Sequence, residues 1–255
     1  MNKKIIIGGG IAFIAATSII IGFRLKNISN VNIPENTTNI VAENNEYNTY
    51  SYVTEEMKQN SDKCTIYIEL ASEFTPENML KDTDAVALVT IVSKDGASMK
   101  YSNYGMTYGT MIVDNILYGS LVKNDGLIEY LKPGGYVSVA DYDVHDIPAA
   151  VEKRDYLRKQ AGIEIDKENT YYNLQIEDDV ELEVGKTYLA YLHYSENANK
   201  YEIIGLRTGL REVNVSQKTR VKAQEYNIDD LKIKNNKTGE WESLNEYVKL
   251  NLQDK

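Results

Sequence analysis

The chain has 255 residues, 42% of them hydrophobic, which is enough to bury one substantial core with accessory elements. Its single cysteine, Cys64, excludes an intrachain disulfide, a cysteine-based zinc site and a Cys-x-x-Cys redox pair. Residues 27–255 hold 24 basic residues against 38 acidic ones, a formal charge of −14 that repels phosphate backbones and argues against nucleic-acid binding.

The first predicted element is an apolar helix near the N-terminus. The run from Ile5 to Phe23 has 19 residues without a charge, and a helix of that length reaches about 28 Å, close to the hydrocarbon thickness of a bilayer. Basic residues flank it on both sides, so charge does not decide its orientation. We expect residues 1–26 to be an uncleaved membrane anchor with the rest of the chain outside the cell. A cleaved signal peptide and a cytosol-facing domain are the alternatives.

A polar stretch follows the apolar run. Residues 27–62 are rich in Asn, Thr, Ser and Glu, a composition typical of a flexible spacer. The folded domain is expected over residues 63–255. It opens with an apolar alternation at 64–70, which predicts a strand with the Cys64 thiol buried on one face. The Thr-Pro-Glu motif at 75–77 then fits the N-cap, first position and first turn of a short helix.

The densest core-forming signal lies between Asp84 and Asp143. It contains three apolar, β-branched runs, each bounded by turn residues, at 85–92, 106–117 and 136–142. Runs of this kind separated by Gly, Asn, Asp and Pro are typical of antiparallel strands joined by tight turns. The segment therefore predicts the centre of a small β-barrel or sandwich.

Further elements are predicted beyond this segment. Pro148 and Gly162 bracket a surface helix at 149–160, and Ser243 with Glu246 forms a capping box that opens a terminal helix. The side chains of that helix expected to face inward are Leu244, Tyr247, Val248 and Leu250. The remaining strands are expected at 170–176, 186–194 and 201–206, with a hairpin or extended arm over 231–239.

Four short motifs occur in a recognisable order: an apolar strand at 84–89, the run 112–119, a Gly-Gly strand entry at 134–135 and a later strand at 185–192. Together they resemble uncharacterised membrane-anchored bacterial proteins with an NTR-like, OB-type barrel. The resemblance covers about residues 65–213. It implies a mainly β fold, in which a single N-terminal transmembrane helix precedes an OB/NTR-like antiparallel β-barrel with short accessory helices.

The same resemblance excludes one mechanism. Eukaryotic proteins of this type, including tissue inhibitors of metalloproteinases, carry disulfides, and the inhibitors chelate the target's metal through an N-terminal cysteine. This chain has only Cys64 and begins with an apolar segment. The fold is therefore expected to carry over, whereas the inhibitory mechanism is not.

Tyrosine is unusually abundant, with 20 residues against three phenylalanines and one tryptophan. Exposed tyrosines are good contact residues, because they add apolar area with few rotatable bonds and a polar tip. Those around one predicted hairpin are expected to form a binding face for a protein or a cell-envelope polymer; they are Tyr101, Tyr104, Tyr108 and Tyr118. The alternative is that they occupy half-buried strand positions, as tyrosines commonly do.

A second candidate site is formed by Asp141, Asp143 and His145. On a strand these residues project from one face, where two carboxylates and an imidazole would suit a divalent cation. The simpler interpretation is a polar strand end in solvent, and no other cofactor is expected. The acidic run at 177–183 alternates with apolar residues, which is typical of a solvated strand face or loop, with calcium binding as the alternative.

These features predict a function in the cell envelope. Frequent Asn, Ile, Lys and Tyr with only four Pro is typical of AT-rich bacterial coding sequences. An anchor, a spacer and a barrel without a recognisable catalytic set indicate a single-pass membrane protein whose extracytoplasmic module acts by binding. A divalent-metal-dependent enzyme of the cell surface and a structural or signalling subunit of a membrane complex are the alternatives.

Overall fold

The computed structural model describes residues 47–67, 74–123, 126–177, 179–215, 220–221 and 226–253. The described residues all belong to one compact unit, Ile40–Lys255, which is mainly β and contains a closed five-stranded barrel. None of the helices in the described ranges is long and apolar enough to cross a bilayer. The predicted anchor at 5–23 lies outside these ranges.

The strands within these ranges are numbered in chain order. They are β1 (Tyr47–Asn48), β2 (Tyr50–Ser51), β3 (Ser61–Ile66), β4 (Ala85–Ile91), β5 (Ser93–Lys94), β6 (Gly96–Ser98), β7 (Met106–Gly119), β8 (Leu127–Pro133), β9 (Gly135–Ser138), β10 (Tyr171–Ile176), β11 (Thr187–Ser195), β12 (Lys200–Ile203), β13 (Leu210–Glu212), β14 (Arg220–Val221), β15 (Lys232–Lys234) and β16 (Trp241–Ser243).

The helices are short. They are α1 (Glu55–Gln59), α2 (Pro76–Met79), α3 (Val139–His145), α4 (Pro148–Gln160), α5 (Leu206–Gly209) and α6 (Leu244–Asn251), with single 3₁₀ turns at Leu80–Asp82 and Ile228–Asp230.

The barrel consists of β4, β7, β8, β12 and β11 in that order around the ring. Neighbouring strands are antiparallel except for β8 and β12, which run parallel, and β11 closes the ring by pairing with β4. If the five barrel strands are numbered from one to five in chain order, their order around the ring is one, two, three, five, four and back to one. Two register shifts between β4 and β7 give β7 extra residues, and bulges of this kind bend a strand around a barrel.

The barrel interior is filled by alternate side chains of all five strands. Ala87, Val89 and Ile91 of β4 face Tyr188, Ala190 and Leu192 of β11 in one buried cluster. Leu182 closes this core from the connector that precedes β11, and two neighbouring valines of that connector pack against it. The interior is therefore a packed core and the connector covers one of its ends.

The outer face of β4 and β11 is also buried. Val86 and Leu88 of β4 pack against the C-terminal arm formed by β15, β16 and α6, as do Leu189 and Tyr191 of β11. The hydroxyls of Tyr191 and Tyr247 lie 2.9 Å apart within this layer. Burial on both faces explains why 85–92 is a continuous apolar run and does not alternate.

A second sheet of three strands, in the order β3, β10, β9, continues from the barrel. The connection is Gly134, because β8 ends at Pro133 and β9 begins at Gly135. The sheet packs with α3 around a small core of Met99, Val137 and Leu174. The half-buried Cys64 packs against this core from β3, and burial raises the pKa of its thiol above the ordinary value.

The predicted mainly β fold with a barrel is confirmed, and so are several local signals. Thr75 caps α2 by accepting a hydrogen bond from Asn78 N at 3.2 Å, and Ser243 caps α6 by accepting one from Glu246 N at 3.3 Å. The surface helix predicted at 149–160 is α4, which has no buried residue. The predicted spacer extends to residue 62, yet its described part already contains β1, β2 and α1.

Three sequence predictions differ from the structure. The strand expected at 136–142 ends at Ser138, where α3 begins, and Leu127–Pro133 forms a barrel strand that was not predicted. Leu250 was expected to face inward but is 77% exposed, and Leu252 occupies the buried position.

Candidate functional site

A cleft of about 250 Å³ opens where the barrel meets the second sheet. Its walls come from the ends of β7 and β8, from β9 and β10, and from the connector that follows β10. Lys94 and Tyr52 reach it from β5 and from the segment after β2. The cleft therefore exists because β8 leaves the barrel and its continuation joins another sheet.

Two glycines shape the wall at this junction. Gly134 and Gly135 have φ values of +90° and +128°, which side-chain-bearing residues rarely adopt. A Cβ at Gly135 would lie 2.8 Å from the Cβ of Ala97 and would overlap the Thr107 hydroxyl. That hydroxyl donates a hydrogen bond to the Gly134 carbonyl at 2.8 Å. Glycine at 135 therefore permits the sharp exit from the barrel and the close packing beside the cleft.

Two buried lysines line the cleft. The Lys132 ammonium pairs with the Asp179 carboxylate at 2.5 Å, and their side chains are only 8% and 5% exposed. Asp179 also accepts a hydrogen bond from the N–H of Val180 at 2.7 Å. The Lys94 ammonium donates to the Leu182 carbonyl at 3.2 Å and lies 3.4 Å from a Glu181 oxygen. The two cations are thus held by one short connector.

The opposite wall carries neutral polar groups. Tyr52 accepts a hydrogen bond from Tyr136 N at 3.0 Å, and the Asn173 amide donates to the Tyr136 hydroxyl at 3.0 Å. Burial raises the pKa of both tyrosines, so both hydroxyls are protonated at neutral pH. Gln175 lies two residues after Asn173 on β10 and also lines the cleft. These hydroxyl and amide groups therefore offer the cleft both donors and acceptors of hydrogen bonds.

The structure separates the four predicted tyrosines. The rings of Tyr101 and Tyr108 are in edge-to-face contact, with centroids 6.1 Å apart. Tyr104 lies in the loop that also holds Tyr101, and it is 44% exposed. Tyr118 lies ten positions beyond Tyr108 on β7, about 33 Å along an extended strand, and packs near the C-terminal arm. Two of the four are brought into contact, and Tyr118 belongs to another surface.

The strand assumed for the predicted metal ligands is wrong, because Asp141, Asp143 and His145 lie on α3. On a helix, Asp143 points away from the other two, and its carboxylate pairs with Arg154 at 2.7 Å and Lys167 at 2.9 Å. His145 lies 3.4 Å from Asp141. Within the described ranges no group of three His, Cys, Asp or Glu side chains is placed to hold a metal.

The acidic run at 177–183 forms a connector in which Glu177, Glu181 and Glu183 are exposed, as predicted for a solvated strand face or loop, but that prediction did not include a buried acid in the cleft. Asp179 is buried against Lys132, while Leu182 enters the barrel core. The available signal was the alternation itself: apolar residues at every second position require a surface to cover. Which surface they cover depends on the barrel mouth and is not encoded locally.

Fold and site together define a class: a mainly β protein in which a closed five-stranded barrel carries a polar cleft with two buried lysines at its junction with a second sheet. Comparison with protein-family models, with curated proteins and with solved structures finds no match for this chain.

Proposed function

We propose that the chain is a binding module of the bacterial cell envelope, anchored in the membrane by residues 5–23 with the barrel outside the cell. Its ligand is one unit of an envelope polymer, bound in the cleft. The observation that carries this proposal is the cleft, which combines buried cations with a wall of neutral hydrogen-bonding groups. A concave site with a small number of convergent polar groups is typical of small-ligand recognition.

The strand order supports an OB-type barrel, of which NTR-like domains are one form. In OB barrels the face of the second and third strands, with the adjoining loops, binds oligonucleotides or oligosaccharides. Here those strands are β7 and β8, which contribute Thr107 and Lys132 to the cleft. A net charge of −10 disfavours a nucleic acid and leaves the saccharide-like ligand as the better fit.

The size of the cleft favours a single unit of a polymer over a protein partner. Sites for drug-sized ligands measure roughly 300–1,000 Å³, so a cleft of about 250 Å³ fits one sugar or one amino-acid residue. A stable protein interface covers about 800 Å² per partner and does not depend on one small cleft. Tyr101 and Tyr104, on the loop beside the cleft-lining β7, are available to contact neighbouring units of the polymer.

The test is retention of the full chain, extracted in mild detergent, on sedimented envelope material from which lipid has been removed. Gln175→Trp places an indole in the cleft and is expected to abolish retention. Leu250→Trp is the matched control, because Leu250 is exposed on α6 and distant in sequence from every cleft residue. Tyr104→Ala is expected to weaken retention without abolishing it.

Loss of retention in Gln175→Trp alone would support the proposal. Equal retention of Gln175→Trp and the unchanged chain would contradict it. Equal loss in both tryptophan variants would also contradict it, because the effect would then not depend on the cleft.

A further inference from the structure

The lysines of the cleft have more hydrogen-bond donors than protein acceptors. An ammonium group has three N–H donors. Within the described part of the chain, Lys132 meets one acceptor, the Asp179 carboxylate, and Lys94 meets the Leu182 carbonyl and, at 3.4 Å, Glu181. Buried charges are costly when their hydrogen bonds are incomplete. Both lysines line the cleft, so a ligand that supplies acceptor oxygens there would complete the hydrogen bonds of both groups.

The two acidic partners differ in how firmly they are held. Asp179 is buried and receives hydrogen bonds from both Lys132 and the Val180 N–H. Glu181 is 72% exposed at its side chain and lies 3.4 Å from the Lys94 ammonium, which is near the upper limit for a hydrogen bond. A pair of this kind contributes little stability. Glu181 can therefore be displaced from Lys94 at small cost, whereas Asp179 stays with Lys132.

We propose that the cleft binds an oxyanion, a carboxylate or a phosphate monoester on a sugar-sized unit, which replaces Glu181 on Lys94 while Asn173, Gln175 and Tyr136 bind the hydroxyl groups of that unit. This inference deepens the proposed function and rests on it. Glu181 acts as an internal competitor that keeps Lys94 neutralised when the cleft holds no ligand. The binding of an oxyanion by an ammonium with unused donors gives charge-assisted hydrogen bonds, which are the strong ones.

The acidic surface sets a limit on the ligand. The chain carries a net charge of −10, which repels a densely charged polyanion. At physiological ionic strength charges more than about 8 Å apart are largely screened. A single oxyanion that enters the cleft therefore interacts mainly with the charged groups that line it, which are Lys94, Lys132, Asp179 and Glu181, so we expect one oxyanion group per bound unit.

The experiment is a ligand-observed NMR titration of the full chain in detergent micelles with three probes. Glucuronate carries a carboxylate, glucose 6-phosphate carries a phosphate, and glucose is the neutral control. We expect one or both anionic probes to bind and glucose to bind at least about tenfold more weakly, because it lacks the charge-assisted bonds. The stronger of the two anionic probes identifies the source of the oxyanion.

Two variants test the assigned residues. Lys94→Met keeps an unbranched apolar side chain but removes the ammonium, and it is expected to weaken binding of the anionic probe at least about tenfold. Glu181→Gln, at an exposed side chain that does not endanger folding, is expected to strengthen it several-fold because the competitor is gone. No binding of either anionic probe, unchanged binding in Lys94→Met, or weaker binding in Glu181→Gln would overturn the inference.

A failure of the oxyanion assignment can be distinguished from a failure of the proposed function. If Gln175→Trp abolishes retention on envelope material but the anionic probes do not bind, the cleft is a binding site for a neutral unit and only the oxyanion assignment is wrong. If Gln175→Trp leaves retention unchanged, the proposed function itself is wrong.

Discussion

The buried ion pair between Lys132 and Asp179 is the residue-scale feature on which the cleft depends. Lys132 is the last but one residue of the third barrel strand, and Asp179 lies three residues after the end of β10, in the connector that covers the barrel end. Removing one member of a buried pair leaves an uncompensated charge, which costs more than the pair itself contributes. The pair therefore fixes the connector to β8 and determines the position of Glu181 and Leu182 near it.

We expect Asp179→Asn to lower the free energy of unfolding by about 3–5 kcal/mol. The matched control is Glu183→Gln in the same connector, where the Glu183 side chain is 57% exposed, and its cost should stay below about 1 kcal/mol. Urea unfolding followed by circular dichroism measures both. Equal losses in the two variants would show that the buried pair has no special role.

Sequence reasoning did not identify Lys94 or Lys132 as site residues. A lysine is usually exposed, and nothing in its immediate neighbours distinguishes a buried one. Both are buried only because β5 and the end of β8 lie under the connector. The predicted acid at 141 has a different role from the one expected: Asp141 accepts a hydrogen bond from Met99 N at 2.8 Å and ties α3 to the loop before β7.

Among helices and strands, the sequence correctly predicted the features whose cause lies in neighbouring residues. The caps at Thr75 and Ser243 and the continuous apolar run of β4 are examples. The strand predicted over 136–142 is confirmed as far as Ser138 and wrong beyond it, because the pattern of the later residues also fits a helix face. The sequence did carry a local signal for the helix, because Ser138 and Asp141 fit an N-cap followed by an acid in the first turn. In the structure Ser138 accepts a hydrogen bond from Asp141 N at 3.1 Å.

The C-terminal arm supplies a prediction at this scale. Leu244 of α6 is fully buried against the outer face of β4 and β11, whereas Leu250 of the same helix is 77% exposed. Leu244→Ala should therefore lower the free energy of unfolding by about 2–5 kcal/mol. Leu250→Ala, the same substitution six residues later, should stay within about 0.5 kcal/mol.

Chemical denaturation of the two leucine variants measures the difference. If Leu244→Ala were as mild as its control, the arm would not be part of the barrel's core. The outer face of β4 and β11 would then need another explanation for its apolar residues.

For the whole molecule, composition excluded disulfides and allowed one substantial core, and the pattern of apolar runs predicted a mainly β barrel, but neither located the site. One cysteine and 42% hydrophobic residues left packing as the source of stability, and the structure contains two large buried clusters, one inside the barrel and one under the C-terminal arm. The cleft could not be predicted, because it forms between two sheets whose strands are far apart in the chain. In the sequence, Gly134 and Gly135 predict only a strand entry and do not indicate the cleft.

Under the proposed function, residues 5–23 hold the barrel outside the membrane, where it meets its ligand. The most direct measurement is digestion of intact spheroplasts that express the full chain, with protease added from outside and the N- and C-terminal parts detected separately. If the barrel lies outside the membrane, we expect the protease to remove the barrel domain while a cytosolic marker enzyme survives. Full protection of the domain until the spheroplasts are lysed, or recovery of the intact chain in the cytosol, would contradict it.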